Sequence, residues 1–132
     1  MGDARIGRLK RREDFLRVAG VRRKWSAPGL VLQAAPMPEG PASPAIRVGF
    51  TASRKVGGAV ERNRARRRLK AAVAEVMPVH AAAGLDYVVI GRHMTLRRRY
   101  ADLTRDLETA LRRLGLWREE ATAVGAVGRK AG

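Results

Sequence analysis

The sequence predicts a single α+β domain, in which one mixed four-stranded sheet packs against three helices. At 132 residues the chain is long enough for one domain with a core. Some segments have the alternating or continuous apolar residues typical of strands, and others have apolar residues at helical spacing. Gly and Pro residues separate these segments. The predicted order is helix, three strands, helix, strand, helix. The domain is expected at 1–115, with a basic arm at 1–11 and a disordered Gly- and Ala-rich tail at 116–132.

The first helix and the first two strands are short. Apolar residues recur at helical spacing within 13–19, and Gly20 is placed to end this helix. Segments 21–26 and 29–35 lie on either side of a Pro-Gly turn and predict two strands. Four prolines in the next ten residues, 36–45, indicate a loop.

The second half of the chain contains the clearest signals. Segment 46–53 alternates apolar and polar side chains, which predicts a strand, and the apolar run 85–92 predicts a buried one. Between them a helix is expected at 59–77, closed by Pro78. The strands of this strand–helix–strand unit could be parallel. A last helix is expected at 97–114.

The helix at 59–77 is predicted to have an apolar stripe and a basic back. The residues of the stripe are Ala65, Leu69, Ala72, Val73 and Val76. Six of the nine residues from Arg62 to Lys70 are basic and none is acidic. Each like-charged pair at a spacing of four destabilises an isolated helix by roughly 0.2–0.5 kcal/mol. The pattern therefore indicates an anionic partner.

The net charge of +16 favours a polyanion such as nucleic acid. The basic stretch lacks the aromatic and leucine face of a membrane-surface helix, and no apolar run resembles a membrane span or a signal peptide, so a cytoplasmic protein is expected. Cysteine is absent, and His80 and His93 stand outside any metal-ligand pattern. No acid pair or Ser-His-Asp set is visible, so neither side-chain catalysis nor direct metal binding is predicted.

A few side chains could contact RNA directly. Asn63, between two arginines, could hydrogen-bond a base edge or a ribose 2′-hydroxyl. Phe15 could stack on an unpaired base or serve as a core aromatic. Thr51, Ser53 and Lys55 could contact the sugar-phosphate backbone or face water.

The segment 47–73, "RVGFTASRKVGGAVERNRARRRLKAAV", resembles the signature of the protein component of bacterial ribonuclease P. In that family a strand leads through a Ser-basic-Lys-hydrophobic-Gly turn into a helix bearing Arg-Asn-Arg. The opening "RLKRREDFLRV" and the strand "DYVVIGR" are similar to the same family, so the resemblance extends from residue 8 to about 114.

The resemblance implies an accessory protein subunit of a ribonucleoprotein endoribonuclease. Its partners would be a catalytic RNA subunit, which hydrolyses the phosphodiester at the 5′ end of mature tRNA, and precursor tRNA; no obligate protein partner is expected. Mg²⁺ would be bound chiefly by the RNA. The family fold has a left-handed parallel crossover, whereas the general rule favours the right-handed form in about 98% of cases.

The resemblance also implies roles for individual residues. Contacts to the RNA subunit are expected from Arg62, Asn63, Arg64, Arg67 and Arg68. A cleft for the single-stranded 5′ leader is expected to involve Phe15, Thr51, Ser53, Lys55 and Arg92. Ala19 and Gln33 occupy positions where the family often has aromatic residues, so this cleft should stack fewer bases.

Two other classes remain open at this stage. A small ribosomal protein or another structural RNA binder would share the charge and have no role in cleavage. A nucleoid-type DNA binder would bind duplex DNA and folded RNA with similar affinity. All three classes predict a steep loss of affinity with salt, so salt dependence does not separate them.

Overall fold

The computed structural model describes residues 6–40 and 42–119, which form a five-stranded mixed sheet with three α-helices. The elements are β1 (Ile6–Arg8), α1 (Arg12–Val21), β2 (Lys24–Ser26), β3 (Leu30–Pro36), β4 (Ile46–Ala52), α2 (Ala59–His80), β5 (Leu85–Gly91) and α3 (Tyr100–Arg113). The strand order is β1-β4-β5-β3-β2, with β1, β4 and β5 parallel and β3 and β2 antiparallel to their neighbours. The unit β4–α2–β5 is thus a parallel crossover, and its left-handed sense stays a prediction.

The prediction of four strands was wrong because the basic arm contributes a fifth. Within β1, Ile6 pairs with Ile46 and Arg8 pairs with Val48. Leu9 extends this contact by donating its N–H to the Val48 carbonyl at 3.0 Å. A strand of three residues is too short to show a periodicity, so only pairing with β4 identifies it.

Three predicted helix ends also differ from the structure. Helix α1 runs through Gly20 and ends where Arg22 adopts a left-handed backbone, with φ of 64°. Helix α2 includes Pro78 in its last turn, where a proline removes only one backbone hydrogen bond and its buried ring adds packing. Helix α3 starts at Tyr100 and not at residue 97, because Arg99 adopts an extended backbone and forms the N-cap. A separate 3₁₀ turn precedes it at 93–96.

The core lies mainly between the sheet and the pair α2 and α3. All five residues of the predicted α2 stripe are buried, which confirms that prediction. The opposite face of the sheet is covered by α1 through a smaller cluster that contains Leu9, Val18, Ala35 and Val88. Because one short helix cannot cover five strands, part of this face stays accessible and forms a cleft.

The predicted disordered tail has an ordered beginning. Leu116 is buried, and Trp117 bridges to Ala81 and stacks on His80 with ring centroids 4.0 Å apart. The rest of the predicted tail, 120–132, and the first five residues of the predicted arm lie outside the described residues. Within the described residues, no helix is both long enough and apolar enough to cross a bilayer.

Candidate nucleic-acid interface

Helix α2 follows two glycines, Gly57 and Gly58. They allow Glu61, the only acidic residue of its first turn, to accept a hydrogen bond from the backbone. Gly57 has φ of 142°, and a Cβ there would lie 2.8 Å from the Glu61 Cβ, so only glycine fits. The Glu61 carboxylate accepts a hydrogen bond from the Gly58 N–H at 3.0 Å. A carboxylate stabilises this end of a helix. The carboxylate of Glu61 is therefore bonded to the backbone at the helix start, just before the basic stretch.

The basic surface of α2 comprises Arg62, Asn63, Arg64, Arg67 and Arg68. Arg64 and Arg67 are exposed, and Arg62 is half-buried. No ion pair among the described residues involves any of these three arginines. Asn63 is exposed, and its amide oxygen accepts a hydrogen bond from the Arg66 guanidinium. The surface thus offers arginine groups whose charge no described carboxylate compensates.

Arg68 differs from the other arginines of this surface. Its guanidinium donates to the carbonyls of Thr95 and Arg98, each at 2.7 Å, and the side chain is half-buried. These two bonds hold the 3₁₀ turn and the start of α3 against α2. The helical wheel places Arg68 opposite the apolar stripe, but it cannot show that α3 packs beside that flank.

A groove of about 240 Å³ runs beside this surface, lined by Arg64, Arg67, Arg68, Ala71 and Tyr100. The Tyr100 hydroxyl donates to the Glu75 carboxylate at 2.9 Å. Partial burial and this hydrogen bond raise the pKa of Tyr100 to about 12. The sequence prediction missed Tyr100, because only the packing of α3 on α2 brings it to the arginines.

The sheet cleft has a volume of about 420 Å³ and lies between α1 and the exposed part of the sheet. Its walls are formed by Arg12, Phe15, Leu16, Ala19, Gln33, Phe50, Thr51, Val88 and Ile90. Two of the five predicted cleft residues, Phe15 and Thr51, therefore meet here. Ala19 and Gln33, the two positions singled out as departures from the family pattern, also line it.

Phe15 is both a packing residue and a wall of the sheet cleft. Its ring is half-buried and lies so close to Gly49 that a Cβ at that position would be 2.6 Å from the Phe15 Cζ. It also packs against the small cluster under α1. The glycine on β4 therefore sets how deeply the aromatic ring sits.

The other three predicted cleft residues lie away from its walls. The Ser53 hydroxyl accepts a hydrogen bond from the Lys55 N–H at 3.2 Å and caps the turn after β4, where Lys55 itself is exposed. The Arg92 guanidinium donates to the Ala27 carbonyl at 2.6 Å and so ties the end of β5 to the turn before β3. The chain turns away from the sheet at the end of β4, which carries Ser53 and Lys55 beyond the cleft walls, and Arg92 lies after the end of β5.

Asp86 is a structural residue that sequence analysis did not identify. It is fully buried and accepts hydrogen bonds from the Arg47 Nε at 2.7 Å and Nη2 at 2.8 Å, and another from Arg17. The hydrogen bond to Asp86 raises the pKa of Arg47. Because Arg17 belongs to α1, this network attaches the helix that carries Phe15 to the sheet. The sequence signal that could have identified Asp86 was the presence of an acidic residue at the start of the apolar segment 85–92.

No group of three or more His, Cys, Asp or Glu side chains that could hold a metal ion occurs within 6–40 and 42–119. Hard cations such as Mg²⁺ prefer several oxygen ligands. The described side chains therefore do not fit a Mg²⁺ site formed by the protein alone.

The sequence of this chain is similar to the protein components of bacterial ribonuclease P. The family model for ribonuclease P matches residues 4–115. The ribonuclease P protein component of Paramagnetospirillum magneticum is 63% identical over 113 residues, which covers 85% of each chain. The corresponding protein of Gluconacetobacter diazotrophicus is 48% identical over 112 residues, which covers 85% of this chain and 94% of the relative.

Solved structures show the same fold. The RNase P protein of Staphylococcus aureus superposes with a TM-score of 0.69 at 23% identity, covering 84% of this chain and 97% of that one. The RNase P protein of Thermotoga maritima superposes with a TM-score of 0.62 at 24% identity, covering 76% and 90% respectively. The family match and the sequence identities agree with this fold, and the chain belongs to the ribonuclease P protein family.

Proposed function

We propose that this chain is the protein subunit of a ribonuclease P ribonucleoprotein, in which a catalytic RNA removes the 5′ leader of precursor tRNA. Family membership supports this reaction class. The observation that carries the proposal is that two different RNA-compatible surfaces lie on opposite sides of the sheet. The basic surface of α2 suits the phosphates of a folded RNA, and the sheet cleft suits an unpaired strand.

The basic surface of α2 is the proposed contact to the RNA subunit. Arginine forks bind phosphate oxygens in a bidentate manner. Repulsion among the basic residues of the free helix changes to attraction when phosphates lie between them. Asn63 is positioned among them to hydrogen-bond a base edge or a 2′-hydroxyl. Arg68 would contribute its charge, since its two hydrogen bonds go to neutral carbonyl groups.

The sheet cleft is the proposed site of the single-stranded leader. The accessible part of the Phe15 ring can stack on a base, and the Thr51 hydroxyl lies on the same wall. Ser53 and Lys55 lie two and four residues after Thr51 along the chain, so a strand leaving the cleft can reach them. Arg92 would act through the N–H groups that do not bond to Ala27. With Ala19 and Gln33 on the walls, the cleft offers fewer stacking surfaces than two aromatic residues would.

The protein's proposed contribution is positioning and charge, with the chemistry in the RNA. Mg²⁺ bound chiefly by RNA phosphates would supply the activated hydroxide and stabilise the leaving oxygen. Among the described residues, no group of three or more His, Cys, Asp or Glu side chains could hold a metal ion for this step. We place the activity in the cytoplasm, where precursor tRNA is made in a bacterial cell.

The test is cleavage of 5′-labelled precursor tRNA by a bacterial ribonuclease P RNA at low Mg²⁺, with and without this protein. Cleavage at the mature 5′ end only when both are present is the expected result. A protein that binds the RNA without ever restoring cleavage would be a structural RNA binder instead. Cleavage by the protein alone would refute the assignment of the chemistry to RNA.

Two variants separate the two surfaces. Arg64→Ala should weaken binding to the RNA subunit and leave the fold intact, because Arg64 is exposed. Phe15→Leu keeps an apolar side chain under α1 but removes the stacking ring, so it should weaken binding of precursor tRNA more than of mature tRNA. Equal losses for both tRNAs would remove Phe15 from the leader site, and unchanged affinity of Arg64→Ala would remove Arg64 from the RNA contact.

A further inference from the structure

A buried hydroxyl group lies close to two of the arginines for which RNA contacts are proposed. Thr95 belongs to the 3₁₀ turn His93–Leu96 and is fully buried, so its side chain does not reach the protein surface. Its Oγ1 accepts a hydrogen bond from the Arg92 N–H and donates one to the Gly29 carbonyl, each at 2.7 Å. The hydroxyl therefore joins the end of β5 to the turn before β3.

Asp106 on α3 fixes the other side of this turn. Its buried carboxylate accepts a hydrogen bond from the Gly29 N–H at 2.9 Å and two from the Arg98 guanidinium at 2.8 and 3.0 Å. A Cβ at residue 29 would lie 2.7 Å from the Asp106 Oδ2, so only glycine fits here. Both polar backbone groups of Gly29 are thus bonded to buried side chains. We call Thr95, Gly29 and Asp106 the turn clamp.

The guanidinium groups of Arg92 and Arg68 are bonded to carbonyls that the turn clamp holds in place. Arg92 donates to the Ala27 carbonyl of the same turn at 2.6 Å. Arg68 donates to the carbonyls of Thr95 and Arg98, each at 2.7 Å. Neither Arg92 nor Arg68 forms an ion pair among the described residues. Neutral acceptors therefore orient both arginines, and the charge of each stays available to an anionic partner.

A purely structural role explains the bonds of Thr95 but not those of the arginines. Buried polar groups are hydrogen-bonded in nearly all folded proteins, so a buried hydroxyl needs partners. A half-exposed arginine has no such need, because water can solvate its guanidinium. Holding the side chain in one conformation costs entropy in the free protein, and the same cost is then avoided when RNA binds.

We infer that Thr95 is a positioning residue for RNA binding, which acts through Arg92 and Arg68 without touching RNA. The inference rests on the proposed function, since it takes Arg92 to contact the leader and Arg68 to contact the RNA subunit. The Thr95 hydroxyl fixes the Arg92 backbone and the turn that holds the Arg92 guanidinium. The Thr95 carbonyl holds one side of the Arg68 guanidinium. One buried residue thus serves both proposed contacts.

The test uses Thr95→Val and Thr95→Ser as matched variants. Valine has the shape of threonine but cannot form the two hydrogen bonds, whereas serine keeps the hydroxyl. Val73→Ala, in the buried stripe of α2, is the control for lowered stability with the turn clamp intact. Affinity is measured for the RNA subunit, and for precursor and mature tRNA with the reconstituted complex. Circular dichroism first confirms that each variant is folded at the assay temperature.

We expect Thr95→Val to reduce the affinity for the RNA subunit, and the preference for precursor over mature tRNA, each by about 2- to 10-fold. This is the cost of ordering one long side chain on binding. Thr95→Ser and Val73→Ala should keep both quantities close to the wild-type values. In an Arg92→Ala background, Thr95→Val should leave the tRNA preference unchanged, because the group through which it acts is absent. A full further loss in that background, or an equal loss in Thr95→Ser, would overturn the inference.

A measurement on the wild type keeps the inference testable if Thr95→Val does not fold. Nitrogen-15 relaxation of the arginine Nε groups in the free protein should give higher order parameters for Arg92 and Arg68 than for the exposed Arg64 and Arg67. Equal order parameters for the two pairs would overturn the inference.

These results are distinguishable from a failure of the proposed function. If the wild-type protein supports no cleavage with any bacterial ribonuclease P RNA, the proposed function fails, whatever the order of the arginines. If the wild type supports cleavage and Thr95→Val binds like Thr95→Ser, only the positioning role of Thr95 fails.

Discussion

Replacing Asp86 by Asn removes the negative charge that Arg17 and Arg47 share at the start of β5. The carboxylate is fully buried, with two hydrogen bonds from Arg47 and one from Arg17. Asn has the same shape as Asp and keeps one acceptor oxygen. Its NH₂ group, however, would place N–H donors against the N–H donors of an arginine guanidinium. The substitution therefore leaves two arginines without their counter-charge and removes one of the two oxygens that accept their hydrogen bonds.

The cost follows from the burial of the three side chains. Removing one partner of a buried ion pair costs about 3–5 kcal/mol. The Arg17 and Arg47 side chains remain 28% and 32% exposed, so water can partly solvate them after the change. The lower end of the range, about 3 kcal/mol, is therefore expected, with a decrease in Tm of roughly 10 °C for a domain of this size.

Urea unfolding followed by circular dichroism measures this cost, with Glu108→Gln as the matched control. Glu108 pairs with Arg112 at 3.2 Å on the surface of α3, with side chains 40% and 50% exposed, so its loss should cost less than about 0.5 kcal/mol. Asp86→Asn should lower the urea midpoint without changing the slope. Equal midpoints for the two variants would refute the claim that this network attaches α1 to the sheet.

Three further predictions test other parts of the structure. Gly49→Ala should destabilise the protein by about 1–3 kcal/mol, since the new methyl group would meet Phe15 at 2.6 Å. At Gly20 an added Cβ would meet no atom within 4 Å, so Gly20→Ala should instead stabilise α1 by about 0.5–1 kcal/mol. Thermal unfolding should therefore give a lower Tm for Gly49→Ala and a higher Tm for Gly20→Ala than for the wild type. Gln33→Tyr adds an aromatic ring to the sheet cleft and should strengthen precursor tRNA binding relative to mature tRNA by about 1 kcal/mol or more, and equal affinities for the two tRNAs would contradict this. Between pH 10 and the Tyr100 pKa of about 12 the unfolded chain has released a tyrosine proton that the folded chain retains, so stability should fall as pH rises through this interval. Urea midpoints across that range should therefore decrease, and Tyr100→Phe should reduce the decrease.

The elements with long periodic patterns were predictable from sequence. The stripe of α2 is buried, and β4 and β5 bury most of the face that packs on it, so local pattern and tertiary packing favour the same structure. The ends of α1 and α2 were not predictable from Gly20 and Pro78. Packing on the sheet stabilises the last turn of each helix against an unfavourable residue. β1 was missed because three residues carry no periodicity and only its partner strand defines it.

The candidate site shows a similar division. The resemblance to the ribonuclease P family put Phe15 and Thr51 in one predicted cleft, and both residues line the sheet cleft of the structure. It could not show that the Arg68 guanidinium is bonded to two carbonyls, because that depends on where α3 begins. Asp86 was missed for a related reason, since its arginine partners are 39 and 69 residues away along the chain.

The placement of the acids explains how a chain with 28 basic and 12 acidic residues can fold and still present a cationic surface. Asp86 and Asp106 are buried with arginines, and Glu61 caps α2. These carboxylates hold elements together and leave the charge on the basic surface of α2 uncompensated. An acid placed beside Arg64 would relieve repulsion in the free protein, yet it would compete with phosphate for the same guanidinium. Stability of the free subunit and affinity for RNA therefore oppose each other at this surface.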